Sequence, residues 1–257
     1  MEHRELGNTG IKVSPLGLGT VKFGRTQQVK YPQPFELPDD QTISDLLKLA
    51  ANLGINLLDT APAYGSSMER LGRLLPGKRE DWVIISKVGE IFVQGQSRFE
   101  FGYINTVRTV ESSLRILSTD YLDVVLIHSN GNDLDILEQE GVVEALYNLK
   151  QRGLICAHGL SGKTVTGGMR ALELLDVVMI TLNPQHLEEL PILKAATSLH
   201  KGVLIKKGLQ SGHIAEPDAI KTAMQFIFSQ PGISSLIIGT INAKHLQANV
   251  EIVNSLL

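Results

Sequence analysis

The sequence predicts an α/β protein of the (β/α)8 TIM-barrel class. Strand-like and helix-like patterns alternate along all 257 residues. The strand-like runs are short and continuously apolar, as expected of parallel strands buried on both faces. Several of them end in a polar or ionisable residue, and a parallel barrel gathers its strand ends at one face, where its active site lies.

Arg4 to Val13 reads as a β-hairpin, with Asn8-Thr9-Gly10 able to supply the turn's positive φ. The first barrel strand is expected over 15–20. In Ile43-Ser44-Asp45-Leu46-Leu47-Lys48-Leu49-Ala50-Ala51 the apolar residues recur at helical spacing. Strands follow at 55–58, 82–87, 122–127, 154–160, 177–182, 203–206 and 234–239. Helices are expected over 104–117, 141–151, 164–174, 190–199, 218–229 and 242–256. In 104–117, opening at Asn105-Thr106, Val107, Val110, Leu114 and Leu117 share one face. An open doubly wound sheet fits less well. Its first turn carries three glycines in register, and Gly17-Leu18-Gly19-Thr20 has two, with no third opening a helix.

Residues of the hydrophobic class make up 43% of the chain and charged residues 20%, an ordinary globular balance. No Pro/Ser/Gly linker divides the chain, so one barrel domain spanning 1–257 is expected. The net charge is −3 and the basic residues are scattered, which argues against nucleic acid as a partner. Cys156 is the only cysteine, expected as a small core residue; with no disulfide to form in the chain, a cytoplasmic location suits the sequence. The charged start Met1-Glu2-His3-Arg4-Glu5 does not read as a signal peptide, and no apolar run approaches the ~20 residues of a membrane span. The histidines show no metal-ligand spacing, so no metal is expected.

Four residues carry the chemistry. Asp59 ends the run Ile55-Asn56-Leu57-Leu58, and Tyr64 follows in the loop Thr60-Ala61-Pro62-Ala63-Tyr64-Gly65. Lys87 ends Trp82-Val83-Ile84-Ile85-Ser86, and His128 ends Leu122-Asp123-Val124-Val125-Leu126-Ile127. Singly, each has a plain alternative: a loop cap, a packed aromatic, a surface charge, a hydrogen-bonded histidine. In this order and these contexts the set resembles the aldo-keto reductases. The resemblance runs from Arg4-Glu5-Leu6-Gly7-Asn8-Thr9-Gly10 through Leu18-Gly19-Thr20 to Ile237-Ile238-Gly239-Thr240 and Asn249. It implies that the N-terminal hairpin closes the barrel bottom. It implies a hydride transfer between a nicotinamide cofactor and an aldehyde, a ketone or a sugar, since side chains offer no hydride. Tyr64 would be the general acid/base, Lys87 the cation that lowers its pKa, Asp59 the partner of Lys87, and His128 a donor to the carbonyl.

The same resemblance implies the cofactor site. Gly19 and Thr20 would lie beneath the nicotinamide and Ser161 would hold its carboxamide. Three positions depart from the family pattern: Gly162 replaces an asparagine, Met179 a glutamine, and Lys206 an aromatic that stacks on the ring. Leu209 and Ser211 would pass over the pyrophosphate. Gly239, Thr240, His245 and Asn249 would meet the adenosine phosphate and adenine at the start of the last helix. The read-out alternative there is an ordinary helix start capped by Asn242. With His245 where NADPH-specific relatives carry arginine, NADPH is expected to lead NADH only modestly.

The short loop after His128 and an ending at the last helix imply a pocket open on one side, with the 25–40 segment as part of its wall. Phe23, Tyr31, Phe35 and Phe92 are candidates to line it. The partner expected is a small carbonyl or sugar substrate, with neither nucleic acid nor membrane, in a monomer or weak oligomer. The stretch Arg98-Phe99-Glu100-Phe101 resembles sugar-oxidising members, so the working direction could be oxidation. A cofactor-binding sensor of the same fold with little turnover is the alternative function, and a lyase using Lys87 as a Schiff base is disfavoured by Tyr64.

Overall fold

The computed structural model describes residues 1–214 and 216–257. Two short strands, β1 (Arg4–Glu5) and β2 (Lys12–Val13), pair antiparallel. The chain then runs β3 (Leu16–Gly19), α1 (Asp40–Asn52), β4 (Leu57–Asp59), α2 (Ser67–Leu74) and β5 (Val83–Val88). A second antiparallel hairpin, β6 (Glu90–Val93) and β7 (Gln96–Phe99), leads to α3 (Tyr103–Leu117). There follow β8 (Leu122–His128), α4 (Asp133–Glu138), α5 (Val142–Gln151), β9 (Ile155–Ser161), α6 (Val165–Leu174), β10 (Val177–Thr181), α7 (Leu190–Ser198) and β11 (Gly202–Lys206). The last elements are α8 (Pro217–Phe228), β12 (Ser235–Ile238) and α9 (Ala243–Leu256). Strands β3, β4, β5, β8, β9, β10, β11 and β12 form a closed parallel barrel, with β12 pairing back onto β3.

Three helices, α1, α6 and α9, start on a side chain that satisfies a first-turn N–H group. Asp39 accepts from Thr42 N at 2.7 Å ahead of α1, and Thr164 accepts from Gly167 N at 3.1 Å ahead of α6. Each then buries one stripe against the barrel wall, as α1 does with Ile43, Leu46, Leu47 and Ala50.

Inside the barrel, side chains of alternating strand positions stack in layers. Leu57, Val83, Ile85, Val124, Leu126, Ala157, Val177, Met179 and Leu204 make one buried cluster. The period of two sets what comes above it. Two residues beyond Leu57, Ile85, Leu126, Met179 and Leu204 stand Asp59, Lys87, His128, Thr181 and Lys206. The polar residues are therefore the next interior layer, at the carboxyl ends of the strands.

The N-terminal hairpin closes the opposite end, with Leu6 and Val13 joining the interior cluster. Asn8 N donates to His200 O at 2.9 Å, and Ser234 Oγ to Glu5 O at 3.1 Å. Positive φ falls on Gly7 and Gly10 rather than on Asn8.

Several expectations need correction. The short helices α2 and α4 and the β6–β7 hairpin were not anticipated. Cys156 is exposed, because it faces outward near the lower end of β9. Phe23 is fully buried in the main hydrophobic cluster and so lines no pocket. No helix of the described residues is long and apolar enough to cross a membrane, and none of their His, Cys, Asp or Glu side chains form a metal-holding group.

Gly7 has φ +57°, and a Cβ there would lie 2.3 Å from Gly202 N, against backbone that cannot yield. Gly7→Ala should therefore lose more than ~2 kcal/mol of stability, from strained φ and overpacking together. A urea titration checks this; a loss below ~0.5 kcal/mol would mean that the hairpin does not bear on the barrel.

Candidate active site

Asp59 and Lys87 meet at the centre of the top layer. Lys87 Nζ donates to Asp59 Oδ1 at 2.6 Å and to Thr60 O at 3.0 Å, with only 2% of the lysine side chain and 8% of the aspartate exposed. Burial pulls the Lys87 ammonium down, but Asp59 and Tyr64 outweigh it, so its pKa rises above the ordinary lysine value. Lys87 stays charged. Tyr64 reaches in from the loop after β4, its ring centroid 4.7 Å from Lys87 Nζ. Burial pushes the Tyr64 phenol up, and Lys87 opposes the rise. The sequence led us to expect a net lowering by Lys87; desolvation of the half-buried ring wins instead. Tyr64 is a neutral phenol at pH 7, the form that can give a proton. His128 lies edge-on to Tyr64, ring centroids 6.2 Å apart at 85°.

The loop is held by Gly24 and Gly65, whose backbones touch. A Cβ on Gly65, at φ +58°, would lie 2.0 Å from Gly24 O. Thr20 is fully buried and its Oγ1 donates to Asp59 O at 3.0 Å, tying β3 to β4. Its hydroxyl is thus committed to the frame, while Gly19 lies in the interior layer beside Asp59.

Two residues that the sequence did not single out join the site. Glu90, the first residue of β6, places Oε2 2.8 Å from His128 Nδ1 and Oε1 3.1 Å from Arg25 Nη1, and takes a bond from Ser97 Oγ at 2.6 Å. Glu90 approaches His128 somewhat off the Nδ1–H axis, at charge-contact distance. Burial alone would raise the Glu90 carboxyl, but His128, Ser97 and Arg25 bring it down to about 2. Arg25 also donates to Ala63 O at 3.1 Å and covers the Phe92 ring, 3.6 Å from its centroid. A readable signal existed. Gln94 and Gly95, both at positive φ, make the two-residue turn of the hairpin that carries Glu90.

On the far side, Lys206 extends from β11 to the end of β9. Its Nζ donates to Ser161 Oγ at 2.9 Å and Gly162 O at 2.6 Å. Both acceptors are neutral, and no carboxylate of the described residues comes within ion-pair range of it. Burial lowers its pKa to about 7. Met179 lies one layer below, 3% exposed in the interior cluster, too deep to meet a ligand. Gly162 has little room: a Cβ would be 3.1 Å from Leu160 Cδ2 and 3.3 Å from Asp133 Oδ2.

The loop after β11 bears three non-glycine residues at positive φ, Lys207, Gln210 and Ser211, a cluster typical of ligand-contacting backbone. Over it runs the 25–39 segment. Tyr31 packs near Gly212, and its hydroxyl is 2.6 Å from where a Cβ on Gly239 would be. Lys22 sits over the rings of Tyr31 and Phe35 at 4.0 and 4.9 Å. Ahead of α9, Asn242 Oδ1 accepts from Lys244 N at 2.9 Å and His245 N at 3.3 Å, so the capping alternative holds and these two donors are already used. Thr240 Oγ1 accepts from Asn242 N. His245 is exposed on the first turn and Asn249 buried one turn on. Taken together, the residues fit an extended anionic dinucleotide. Lys22, Lys206 and Lys207 bring positive charge to this side, but Tyr31 fills the space over Gly212 and Gly239, and the adenosine end offers fewer backbone donors than expected.

Residues 15–206 match the profile of the Aldo/keto reductase family. The crystal structure of PA4992 from Pseudomonas aeruginosa is 52% identical over 99% of this chain and 95% of that one, with a TM-score of 0.91. L-galactose dehydrogenase of Arabidopsis thaliana is 28% identical over 100% of this chain and 89% of its own length. The aldo-keto reductase YhdN of Bacillus subtilis is 31% identical over 84% of this chain and 66% of its own.

Lys206 also leaves a stability signature. The folded site holds its pKa at about 7, against ~10.4 in an unfolded chain. Between those values the unfolded chain binds a proton that the folded site does not, so stability rises with pH; below about 7 the full cost of the buried ammonium remains. Lys206→Met should be more stable than wild type at pH 6, by on the order of 1–2 kcal/mol after allowance for partial solvation. The gap should close as pH approaches 10. Urea midpoints of both proteins from pH 6 to 9.5 test it, and a pH-independent difference contradicts it.

Proposed function

The chain belongs to the aldo/keto reductase family, whose chemistry interconverts carbonyls and alcohols, and from that premise we propose a nicotinamide-dependent carbonyl reductase in which Tyr64 is the general acid/base. The observation that carries this reading is the buried Asp59–Lys87 pair with a protonated, half-buried Tyr64 against it. A bound nicotinamide cofactor supplies the hydride that protein side chains lack.

The residues of the chain divide the remaining work. A substrate carbonyl enters beside Tyr64 and His128 at the top of the barrel. As its oxygen gains charge, the Tyr64 hydroxyl gives up its proton and the product leaves as an alcohol. The resulting phenolate lies next to the Lys87 ammonium, which offsets the charge in a site that water solvates poorly. Asp59 keeps Lys87 in position and charged. Tyr64 then regains a proton from solvent; alcohol oxidation runs through the same steps reversed. Ser161 and Lys206 supply polar contacts for the carboxamide, and the loop around Leu209 and Ser211 covers the pyrophosphate. NADPH is favoured over NADH only modestly, because Asn242 already takes Lys244 N and His245 N at the start of α9. Similarity to L-galactose dehydrogenase supports a sugar or other hydroxylated carbonyl as substrate.

Tyr64→Phe removes one hydroxyl and keeps the ring. Turnover of a panel of aldehydes and sugars should fall at least ~10²-fold, while cofactor affinity stays within about threefold. Wild type should use NADPH with a higher kcat/KM than NADH. Nicotinamide absorbance with titrated cofactor fluorescence measures both. A Tyr64→Phe variant that turns over like wild type would remove Tyr64 from the acid role, and a wild type inert toward the whole panel would favour the sensor alternative.

A further inference from the structure

The structure assigns Arg25 as a positioning residue for Tyr64: its guanidinium, anchored by Glu90, holds the backbone that aims the phenol at Lys87 and at the reacting oxygen. The part of this inference that concerns turnover rests on the reductase reading above.

Arg25 lies one residue past the contact between Gly24 and the tyrosine loop, with only 7% of its side chain exposed. Every N–H of its guanidinium has an acceptor. Nε donates to Gln27 O at 2.9 Å, and Nη1 to Ala63 O and Glu90 Oε1, both at 3.1 Å. Nη2 reaches Gln28 O at 3.5 Å and Ser97 Oγ at 3.4 Å. The Phe92 ring covers the plane of the group. A planar fork so enclosed cannot turn without breaking several bonds together. Glu90 supplies the counter-charge without which a buried guanidinium would be costly. Arg25 thereby joins three pieces of the barrel mouth: the segment after β3, the loop after β4 and the β6–β7 hairpin.

The bond to Ala63 O acts through the backbone. Ala63 O belongs to the peptide plane that enters Tyr64. The plane that leaves Tyr64 is pressed against Gly24, where a Cβ would run into Tyr64 O and Ser67 N. Peptide groups are planar, so fixing the planes on both sides of a residue fixes its φ and ψ, and with them the direction of its Cβ. The Tyr64 ring is thereby set with its centroid 4.7 Å from Lys87 Nζ and edge-on to His128. The ionisable groups that face it are Asp59 from β4, Lys87 from β5, Glu90 from β6, His128 from β8 and Tyr31 from the 25–39 segment. A shift of ~1 Å in a reacting group can cost ~10²-fold in rate. Arg25 can therefore govern proton transfer although its own N–H groups are spent within the protein.

The test combines Arg25→Met with Glu90→Gln, which removes both charges and leaves neither buried alone. It begins on protein labelled at tyrosine and histidine, without substrate or cofactor. Wild type should show a nuclear Overhauser peak between the rings of Tyr64 and His128, assigned by Tyr64→Phe and His128→Gln. The double variant should lose most of that peak, and an undiminished peak overturns the proposal. Arg25→Lys keeps a charge beside Glu90 without the fork, so its peak and its turnover should fall below wild type. A lysine variant indistinguishable from wild type in both also overturns it. Turnover of the aldehyde and sugar panel should fall at least ~10-fold in the double variant, but less than ~2-fold further when the same pair is changed in Tyr64→Phe, because Arg25 acts through Tyr64. Equal losses in the two backgrounds contradict it. Arg79→Met with Asp123→Asn removes a comparable ion pair at the amino end of the barrel. Turnover there should stay within ~2-fold of wild type. A loss as large as that of the Arg25 pair would trace the effect to stability and overturn the assignment. A wild type that turns over none of the panel defeats the reductase reading, and the ring-to-ring peak alone then decides whether Arg25 positions Tyr64.

Discussion

The site depends on one buried ion pair. Lys87 and Asp59 face each other from adjacent strands, β5 and β4, in the top interior layer of the barrel. A lone ammonium there would lose its proton, and a lone carboxylate would gain one. Together they stay ionised at 2.6 Å, with Thr60 O taking a further proton of the ammonium. That fixed charge opposes the rise that burial imposes on Tyr64. The frame around the pair is tight. Thr20 ties the ends of β3 and β4, Ser67 Oγ donates to Thr20 Oγ1 at 2.7 Å, and Gly24 and Gly65 allow the tyrosine loop to fold against the barrel mouth.

A second charged network backs the first from the β6–β7 hairpin. Glu90 and Arg25 are buried partners that reach the two sides of the tetrad, one at His128 and the other at the carbonyl oxygen just before Tyr64. Opposite them, among the described residues, Lys206 has only neutral acceptors. The site is thus asymmetric: compensated charge on the side of Tyr64 and His128, and an uncompensated, easily neutralised cation where the groove begins.

Barrel order and the four strand-end residues were legible because both follow from local pattern. A continuous apolar run marks a strand buried on both faces, and the period of two forces Asp59, Lys87 and His128 inward above Leu57, Ile85 and Leu126. The helix α2 escaped because it is short, contains Gly72 and buries only Ser67, Met68 and Leu71. Glu90 escaped because its strand belongs to no barrel run and pairs only with β7. The direction of the Tyr64 shift was misread because burial, the larger effect, is invisible in sequence. Asn242 was read as a possible cap, and its hold on Lys244 N and His245 N is a contact that spacing alone could not decide against an anion.

The central claim is that the Lys87 charge acts on Tyr64. Tyrosine labelled with carbon-13 at Cζ reports ionisation of each phenol directly. With the Tyr64 signal assigned by Tyr64→Phe, its titration in wild type and in Lys87→Met isolates the effect of the ammonium. The account predicts that Tyr64 ionises at a clearly higher pH in Lys87→Met, because burial then acts unopposed. Superimposable titrations of Tyr64 in the two proteins would contradict it.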